Sequence, residues 1–210
     1  MVGSSDIELP RGLLVAQGYL ELATGPATRL GLAIKLRRQA LKSSLLAAVS
    51  CRIDPDGADV DRHRSERWLL VGQTLRLLGR HDLAVRPLTL ASANPTTYRD
   101  AGLALAWCQR RMGNLRAAIL TTTRTLSTLP GDADLHYNLA CYLALALDST
   151  ASLRELSWAI ELKPRLRARA ACESDFDSLR GSAAFEELLR PGSRMPRPSV
   201  QAPAPRHPYS

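Results

Sequence analysis

Small and apolar residues recur through the middle of the chain at a fixed interval of 34 positions. The recurring residues are an apolar residue, a small residue directly after it, a glycine and a proline. The series are Val71, Leu105 and Leu139; Gly72, Ala106 and Ala140; Gly79 and Gly113; and Pro130 and Pro164. Such a period, with small residues where helices cross and a glycine at the turn, is typical of arrays of helical hairpins. The pattern therefore predicts three consecutive hairpins, at 65–98, 99–132 and 133–166.

An apolar segment with helical spacing precedes these three hairpins. It extends over 11–51 and contains Gly25 followed by Pro26, which suit the end of one helix and the first turn of the next. We predict a degenerate helical hairpin here, because the segment is out of register with the 34-residue period. Residues 1–10 are polar, and we expect them to form a flexible lead-in.

The stretch 52–64 separates the degenerate hairpin from the repeats. It contains Pro55 and Gly57, which interrupt a helix, together with four aspartates. A calcium-binding EF-hand loop needs glycine at its position 6 and glutamate at its position 12. Counted from Asp54, the glycine falls at position 4 and Ser65 at position 12. The spacing therefore predicts a solvated acidic loop instead of a calcium site.

The sequence contains two phenylalanines, Phe176 and Phe185, and both follow the last hairpin. With nearby leucines they form an apolar set that can cover the exposed face of a terminal repeat. We therefore predict a C-terminal capping segment at 167–190. Residues 191–210 are rich in proline, serine and arginine, and this composition predicts a disordered tail.

The residues at the repeated positions resemble the pattern of tetratricopeptide repeat (TPR) proteins. The matching residues are Trp68, Val71, Gly72, Leu75, Gly79, Ala84, Leu88 and Ala91; Leu105, Ala106, Gly113, Ala118 and Pro130; and Leu139, Ala140, Leu143, Leu156, Ala159 and Pro164. The resemblance implies an all-α fold, a TPR-type solenoid of helical hairpins wound into a right-handed superhelix and closed by the capping segment. It also implies a protein–protein interaction or scaffold module.

Three features depart from the TPR pattern. Leu147 replaces the glycine at the turn of the third hairpin. Pro87 lies inside the second helix of its hairpin, where a proline costs about 3 kcal/mol or introduces a kink. Thr122 and Thr125 occupy positions where an apolar and a small residue are expected. These positions are where we expect the hairpins to be least regular.

The charge and the cysteines give weaker indications. The net charge is +8, but the basic residues are spread along the chain, whereas a nucleic-acid binder concentrates them on one face or arm. The four cysteines lack metal-binding spacing and suit a reducing compartment.

The longest apolar run, 139–147, is too short to span a bilayer, and the first residues lack a signal-peptide pattern. We expect a soluble, cytoplasmic protein without membrane insertion.

Motifs for catalysis are not found in the sequence. It has no nucleophile elbow, no phosphate-binding glycine loop and no zinc-protease motif. His136 takes the position that Trp68 has in the first of the three hairpins, so we predict a packed histidine and not a catalytic one. The sequence therefore predicts a protein that is not an enzyme, with no cofactor and no metal site.

A groove is the remaining candidate for function. In TPR hairpins the first helix lines the concave surface, with inward positions at 2, 5, 9 and 12 of each repeat. The predicted partner-binding residues at these positions are Leu69, Gln73, Arg76, Leu103, Trp107, Arg110, Tyr137 and Cys141. Glu66, Asp100 and Asp134 would follow one rim. An apolar floor with aromatic residues and arginine is typical of binding hot spots, so we expect a protein or peptide partner. The alternative hypothesis is a basic helical-repeat protein associated with nucleic acid.

Overall fold

The computed structural model of the protein describes residues 11–24, 30–50 and 64–190. Within these ranges the regular elements are helices and no strand is present. The α-helices are α1 (Arg11–Thr24), α2 (Leu30–Ser50), α3 (Arg64–Leu77), α4 (His81–Ala91), α5 (Pro95–Arg111), α6 (Leu115–Thr128), α7 (Ala133–Leu145), α8 (Ser149–Leu162), α9 (Leu166–Cys172) and α10 (Ala183–Leu189). A 3-10 helix, Ser174–Leu179, lies between α9 and α10. The predicted all-α fold of helical hairpins is confirmed.

Several predicted segments lie outside the described residues. They are the lead-in 1–10, the acidic loop except for Arg64, the Gly25–Pro26 junction and the tail 191–210. The chain divides into two compact units, Met1–Pro130 and Gly131–Ser210.

The first unit is built from pairs of helices whose approach is set by small residues. Helix α1 packs against α2, α3 against α4, and α5 against α6. Gly72 in α3 faces Leu88 in α4, and Gly102 in α5 faces Thr125 in α6, so that a Cβ atom at either glycine would collide with its neighbour. The buried core cluster next to these crossings is Ala84, Leu88, Ala104, Leu105 and Cys108. Small residues therefore allow the two helices of a hairpin to approach closely.

The turns of the hairpins need a residue in the left-handed conformation. Gly79 and Gly113 supply it, with φ of 76° and 79°. In the turn between α7 and α8 the same role falls to Leu147, with φ of 63°. Asp148 then caps α8, because its side chain accepts a hydrogen bond from the Ala151 N–H at 3.0 Å. The departure at Leu147 thus preserves the turn at a conformational cost.

The start of α5 is fixed by local chemistry. The Asn94 side chain accepts a hydrogen bond from the Thr96 N–H at 3.0 Å, and Pro95 occupies the first turn. The helix therefore begins at Pro95, four residues before position 99, where the repeat period places the start of the second hairpin.

The other two departures from the repeat pattern lie within regular helices. Pro87 lies inside α4, which is continuous around it. Thr122 and Thr125 are buried in α6, and each hydroxyl donates to a backbone carbonyl one turn earlier, at 2.8 Å and 2.9 Å. These bonds satisfy the hydroxyl groups, so the threonines fit positions that an apolar or small residue takes in the pattern.

In the second unit, the predicted capping segment packs against the last hairpin. The 3-10 helix contacts α7, and α10 contacts α8 and α9. Phe176 and Phe185 are fully buried, with ring centroids 5.8 Å apart. Phe176 also meets the Tyr137 ring edge-on at 5.8 Å, and the Ser178 hydroxyl donates to the Ala144 carbonyl at 3.2 Å. This segment therefore covers part of α7.

Candidate functional site

A pocket of about 420 Å³ opens in the first unit between α1, α3 and α5. Its residues come from α1 (Gln17, Leu20, Glu21 and Thr24), from α3 (Glu66, Leu69, Leu70, Gln73, Arg76 and Leu77) and from α5 (Asp100). We call it the α1–α3–α5 pocket. Its size is in the range of ligand pockets in proteins.

Three predicted binding residues line this pocket: Leu69, Gln73 and Arg76. They lie on one face of α3, as their spacing of three to four residues requires. Two predicted rim residues, Glu66 and Asp100, line it as well. The structure therefore brings together the predicted inward positions of α3 and the first inward position of α5.

The contribution of α1 to the pocket is missing from the sequence-based prediction. Gln17, Leu20, Glu21 and Thr24 are spaced as i, i+3, i+4 and i+7, which places them on one face of α1. This spacing is the signal that could have identified them. It was not decisive because α1 is out of register with the 34-residue period, so its inward positions could not be numbered.

The floor of the pocket is apolar. Leu70 is buried against Ala16 of α1, and Leu20 packs on the same cluster. Leu69 is half-buried and packs against the neighbouring core cluster. A bound group would therefore rest on leucine side chains that are already held in place by packing.

Three carboxylates line the pocket: Glu21, Glu66 and Asp100. Glu21 accepts a hydrogen bond from the Gln17 amide at 3.0 Å, and Asp100 pairs with the half-buried Arg99 at 2.9 Å. The Oε1 atom of Glu66 receives only a long contact of 3.5 Å from the Thr96 hydroxyl. Its Oε2 atom is buried and has no hydrogen-bond partner among the described residues.

Arg76 is the cation of the pocket, and it is held by Trp107. The guanidinium lies 5.2 Å from the centroid of the indole ring, and Arg111 lies 5.6 Å from it. The His81 ring meets the indole edge-on at 5.1 Å. Burial lowers the pKa of Arg76, while Cys108 acts in the opposite direction and Arg37 adds to the lowering. Burial also lowers the pKa of His81, helped by Arg111 and Arg76.

The other predicted residues of α5 do not line this pocket. Leu103 and Arg110 are half-buried. Trp107 is half-buried too, packs against the core cluster around Leu88, and contacts the pocket residue Arg76. Its surroundings combine packing with cation–π contacts, and its role in binding stays a prediction.

The two predicted residues of α7 are buried in the second unit. Tyr137 is 1% exposed, between the edge of Phe176 and the guanidinium of Arg169, which lies 4.6 Å from its ring centroid. Burial raises the pKa of its phenol. Cys141 is buried as well. The rim residue Asp134 is bound by the Lys163 ammonium at 2.8 Å and 3.0 Å. The binding role of these residues also stays a prediction.

The second unit contains a buried hydrogen-bonded pair, His136 and Glu155. The Nδ1 atom of His136 lies 2.8 Å from a carboxylate oxygen of Glu155, and the imidazole stacks on Trp158 with centroids 6.2 Å apart. Burial raises the pKa of Glu155, but its bonds to His136 and Arg154 outweigh this effect and lower it. His136 is thus a packed, hydrogen-bonded side chain that joins α7 to α8.

Among the residues that the structure describes, no group of three or more histidine, cysteine, aspartate or glutamate side chains is arranged to hold a metal ion. None of the described helices is both long and apolar enough to cross a membrane.

The arrangement of helices is similar to that of a solved structure, the crystal structure of MamA, a TPR-containing protein. The similarity covers 73% of this chain and 81% of the MamA chain, with a TM-score of 0.53 and 18% sequence identity. The fold is TPR-like. At this identity the similarity shows the fold alone. No protein-family model and no curated protein sequence matches the chain.

Proposed function

We propose that this protein is a non-catalytic interaction module that binds a peptide or protein segment in the α1–α3–α5 pocket. The observation that carries the proposal is the composition of the pocket, in which an apolar leucine floor is surrounded by carboxylates, amides and one guanidinium. Apolar surface with a few placed polar groups is the usual design of a binding site. The TPR-like fold supports the proposal, because helical repeats present extended surfaces to their partners.

The proposed contacts are the predicted residues Leu69, Gln73 and Arg76, joined by the α1 residues Leu20 and Gln17. Leu69 and Leu20 supply apolar contact area, and the two glutamines supply amide groups that can bond to a peptide backbone. Trp107 acts through Arg76, whose guanidinium it holds in place. We propose Leu103 and Arg110 as further contacts on α5, because they share the inward positions of its repeat.

The alternative of nucleic-acid binding is less well supported at this surface. The whole chain carries a net charge of +8, but three carboxylates and one guanidinium line the pocket. Phosphate groups would be repelled by this excess of negative charge. A peptide partner fits the pocket better than a nucleic acid does.

A selection of random peptides displayed on phage, with the full-length protein as bait, tests the proposal. Selected peptides are synthesised with a fluorescent label, and their affinity is measured by anisotropy. Leu69→Ala and Gln73→Trp should each weaken binding at least about tenfold, the first by removing apolar contact and the second by filling the pocket. The matched control is Leu120→Ala, since Leu120 is 62% exposed and lies on α6.

Thermal melting of each variant separates lost binding from lost folding. Leu69 also packs on the core, so Gln73→Trp is the variant that leaves the core contacts intact. Failure to select any peptide, or peptides whose affinity is unchanged in folded Gln73→Trp, would overturn the proposal.

A further inference from the structure

The sign of the charge in the α1–α3–α5 pocket is opposite to that of the chain. The pocket is lined by Glu21, Glu66 and Asp100 against a single guanidinium, Arg76, whereas the chain carries a net charge of +8. Charged groups at an interface are arranged to complement the partner. A local excess of carboxylates therefore points to a cationic partner group.

Glu66 is the group whose bonding is least complete. Its Oε2 atom is buried and has no donor among the described residues, and its Oε1 atom has only the 3.5 Å contact with the Thr96 hydroxyl. A buried carboxylate oxygen without a donor costs free energy that a bound donor can recover. A charged donor recovers more than a neutral one, because charge-assisted hydrogen bonds are the stronger kind.

The pocket's own guanidinium is occupied elsewhere. Arg76 lies over the Trp107 ring at 5.2 Å, and Arg111 and His81 contact the same ring. This arrangement keeps Arg76 with the aromatic cluster. Asp100 is paired with Arg99, whereas Glu66 has only the long contact with Thr96 among the described residues. Glu66 is therefore the carboxylate that a partner cation would satisfy.

The apolar floor restricts which cations fit. Leu20, Leu69 and Leu70 line the pocket together with the carboxylates. Lysine and arginine side chains lay an aliphatic stem on apolar surface while their charged end reaches polar groups. A purely apolar side chain would cover the floor but leave Glu66 without a donor, and an acidic side chain would be repelled.

We infer that the partner segment presents a lysine or arginine side chain to the α1–α3–α5 pocket, with its stem on the leucine floor and its cationic end bound by Glu66 and Asp100. This inference rests on the proposed function, and it names the chemistry of the partner. An extended peptide with a basic residue among apolar neighbours is the occupant to which it commits.

The test uses the labelled peptides from the phage selection and the full-length protein. The selected sequences should share a lysine or arginine. Replacing that residue by glutamine in the peptide should weaken its affinity for the wild-type protein about tenfold. The same replacement should change the affinity for the Glu66→Gln variant much less, because the variant lacks the carboxylate that binds the cation. Glu186→Gln, an exposed carboxylate on α10, is the matched control and should behave as the wild type. Binding should also weaken as salt is raised.

A second variant keeps the test decisive if Glu66→Gln fails to fold. Asp100 has a side chain that is 54% exposed, so Asp100→Asn should leave the fold intact and show the same loss of sensitivity to the basic residue. The inference is wrong if Gln73→Trp weakens binding of the peptides but the residue that they share is neutral or acidic. It is also wrong if neither Glu66→Gln nor Asp100→Asn changes the preference of the peptides for a basic residue. In both cases the proposed function still stands. If Gln73→Trp has no effect on any peptide, both fail.

Discussion

Replacing Gly72 by alanine adds one methyl group at the contact between α3 and α4. The new Cβ atom would lie 2.5 Å from Cγ and Cδ2 of Leu88 and 3.3 Å from its backbone nitrogen. Carbon atoms in contact lie about 3.5–4.0 Å apart, so something must move by about 1 Å. Leu88 is fully buried, and its side chain has no solvent-exposed position to take.

The size of the effect follows from two opposing terms. Overpacking a buried contact costs about 1–3 kcal/mol, while alanine is about 1 kcal/mol better than glycine inside a helix. The difference between these terms is a loss of about 0–2 kcal/mol in the free energy of unfolding. The two 2.5 Å contacts with the buried Leu88 side chain place Gly72→Ala toward the upper end of this range. Gly18→Ala is the matched control: it lies within α1 with nothing within 4 Å of the added atom. It should raise stability by about 0.5–1 kcal/mol.

Urea unfolding followed by far-UV circular dichroism measures both variants against the wild type. The same glycine substitution is then measured in a Leu88→Ala protein, which is expected to be about 2–5 kcal/mol less stable than the wild type. In that background Gly72→Ala should become neutral or stabilising, because the added methyl enters the space that the leucine left. If Gly72→Ala stabilises the wild type as Gly18→Ala does, or has the same effect with and without Leu88, the packing argument is wrong.

Phe176→Ala should lower the free energy of unfolding by about 3–5 kcal/mol, because this ring is fully buried against α7. The control Glu186→Ala, at an exposed position of α10, should change the free energy of unfolding by less than about 0.5 kcal/mol. Equal melting temperatures would contradict a packed cap. Since the pKa of Glu155 is lowered in the folded state, its contribution to stability is present above the ordinary carboxyl pKa and is lost as pH falls through the folded value. Glu155→Gln should therefore cost about 1–3 kcal/mol at pH 7. The difference in melting temperature between the two proteins should shrink as pH falls below the ordinary carboxyl pKa of about 4.3, and a difference that does not change with pH would refute this. Burial raises the pKa of Cys108 to about 11, so alkylation at pH 8 followed by peptide mapping should label the exposed Cys172 before Cys108. Equal labelling of these two cysteines would count against the buried position of Cys108.

The hairpins could be predicted from the sequence because their packing repeats. Gly72 lies where two helices cross, and the buried alanines Ala106 and Ala140 take the corresponding positions of the next two hairpins at the 34-residue period. The period gives the spacing of the hairpins but not the residue at which each helix begins. That residue depends on local capping, as Asn94 and Pro95 show at the start of α5.

The candidate site was only partly predictable. Leu69, Gln73 and Arg76 share one helix and one face, so their spacing was sufficient to group them. The contribution of α1 to the pocket could not be predicted, because tertiary contacts decide which helix packs beside α3. Tyr137 holds the same repeat position as Leu69, yet it is covered by Phe176 from the capping segment. That contact joins residues far apart in the chain and leaves no periodic signal.

The turn between α7 and α8 has a consequence for how this protein can change during evolution. Leu147 is held at φ 63° with its side chain 77% exposed, so it carries the cost of a left-handed conformation and recovers little of it by burial. Glycine at this position, as at Gly79 and Gly113, would remove a cost of about 1 kcal/mol. Proteins keep mutations that leave them above a stability threshold. Leu147→Gly could therefore compensate for a destabilising substitution elsewhere in the α7–α8 hairpin. The hairpin can then accept a wider range of sequences.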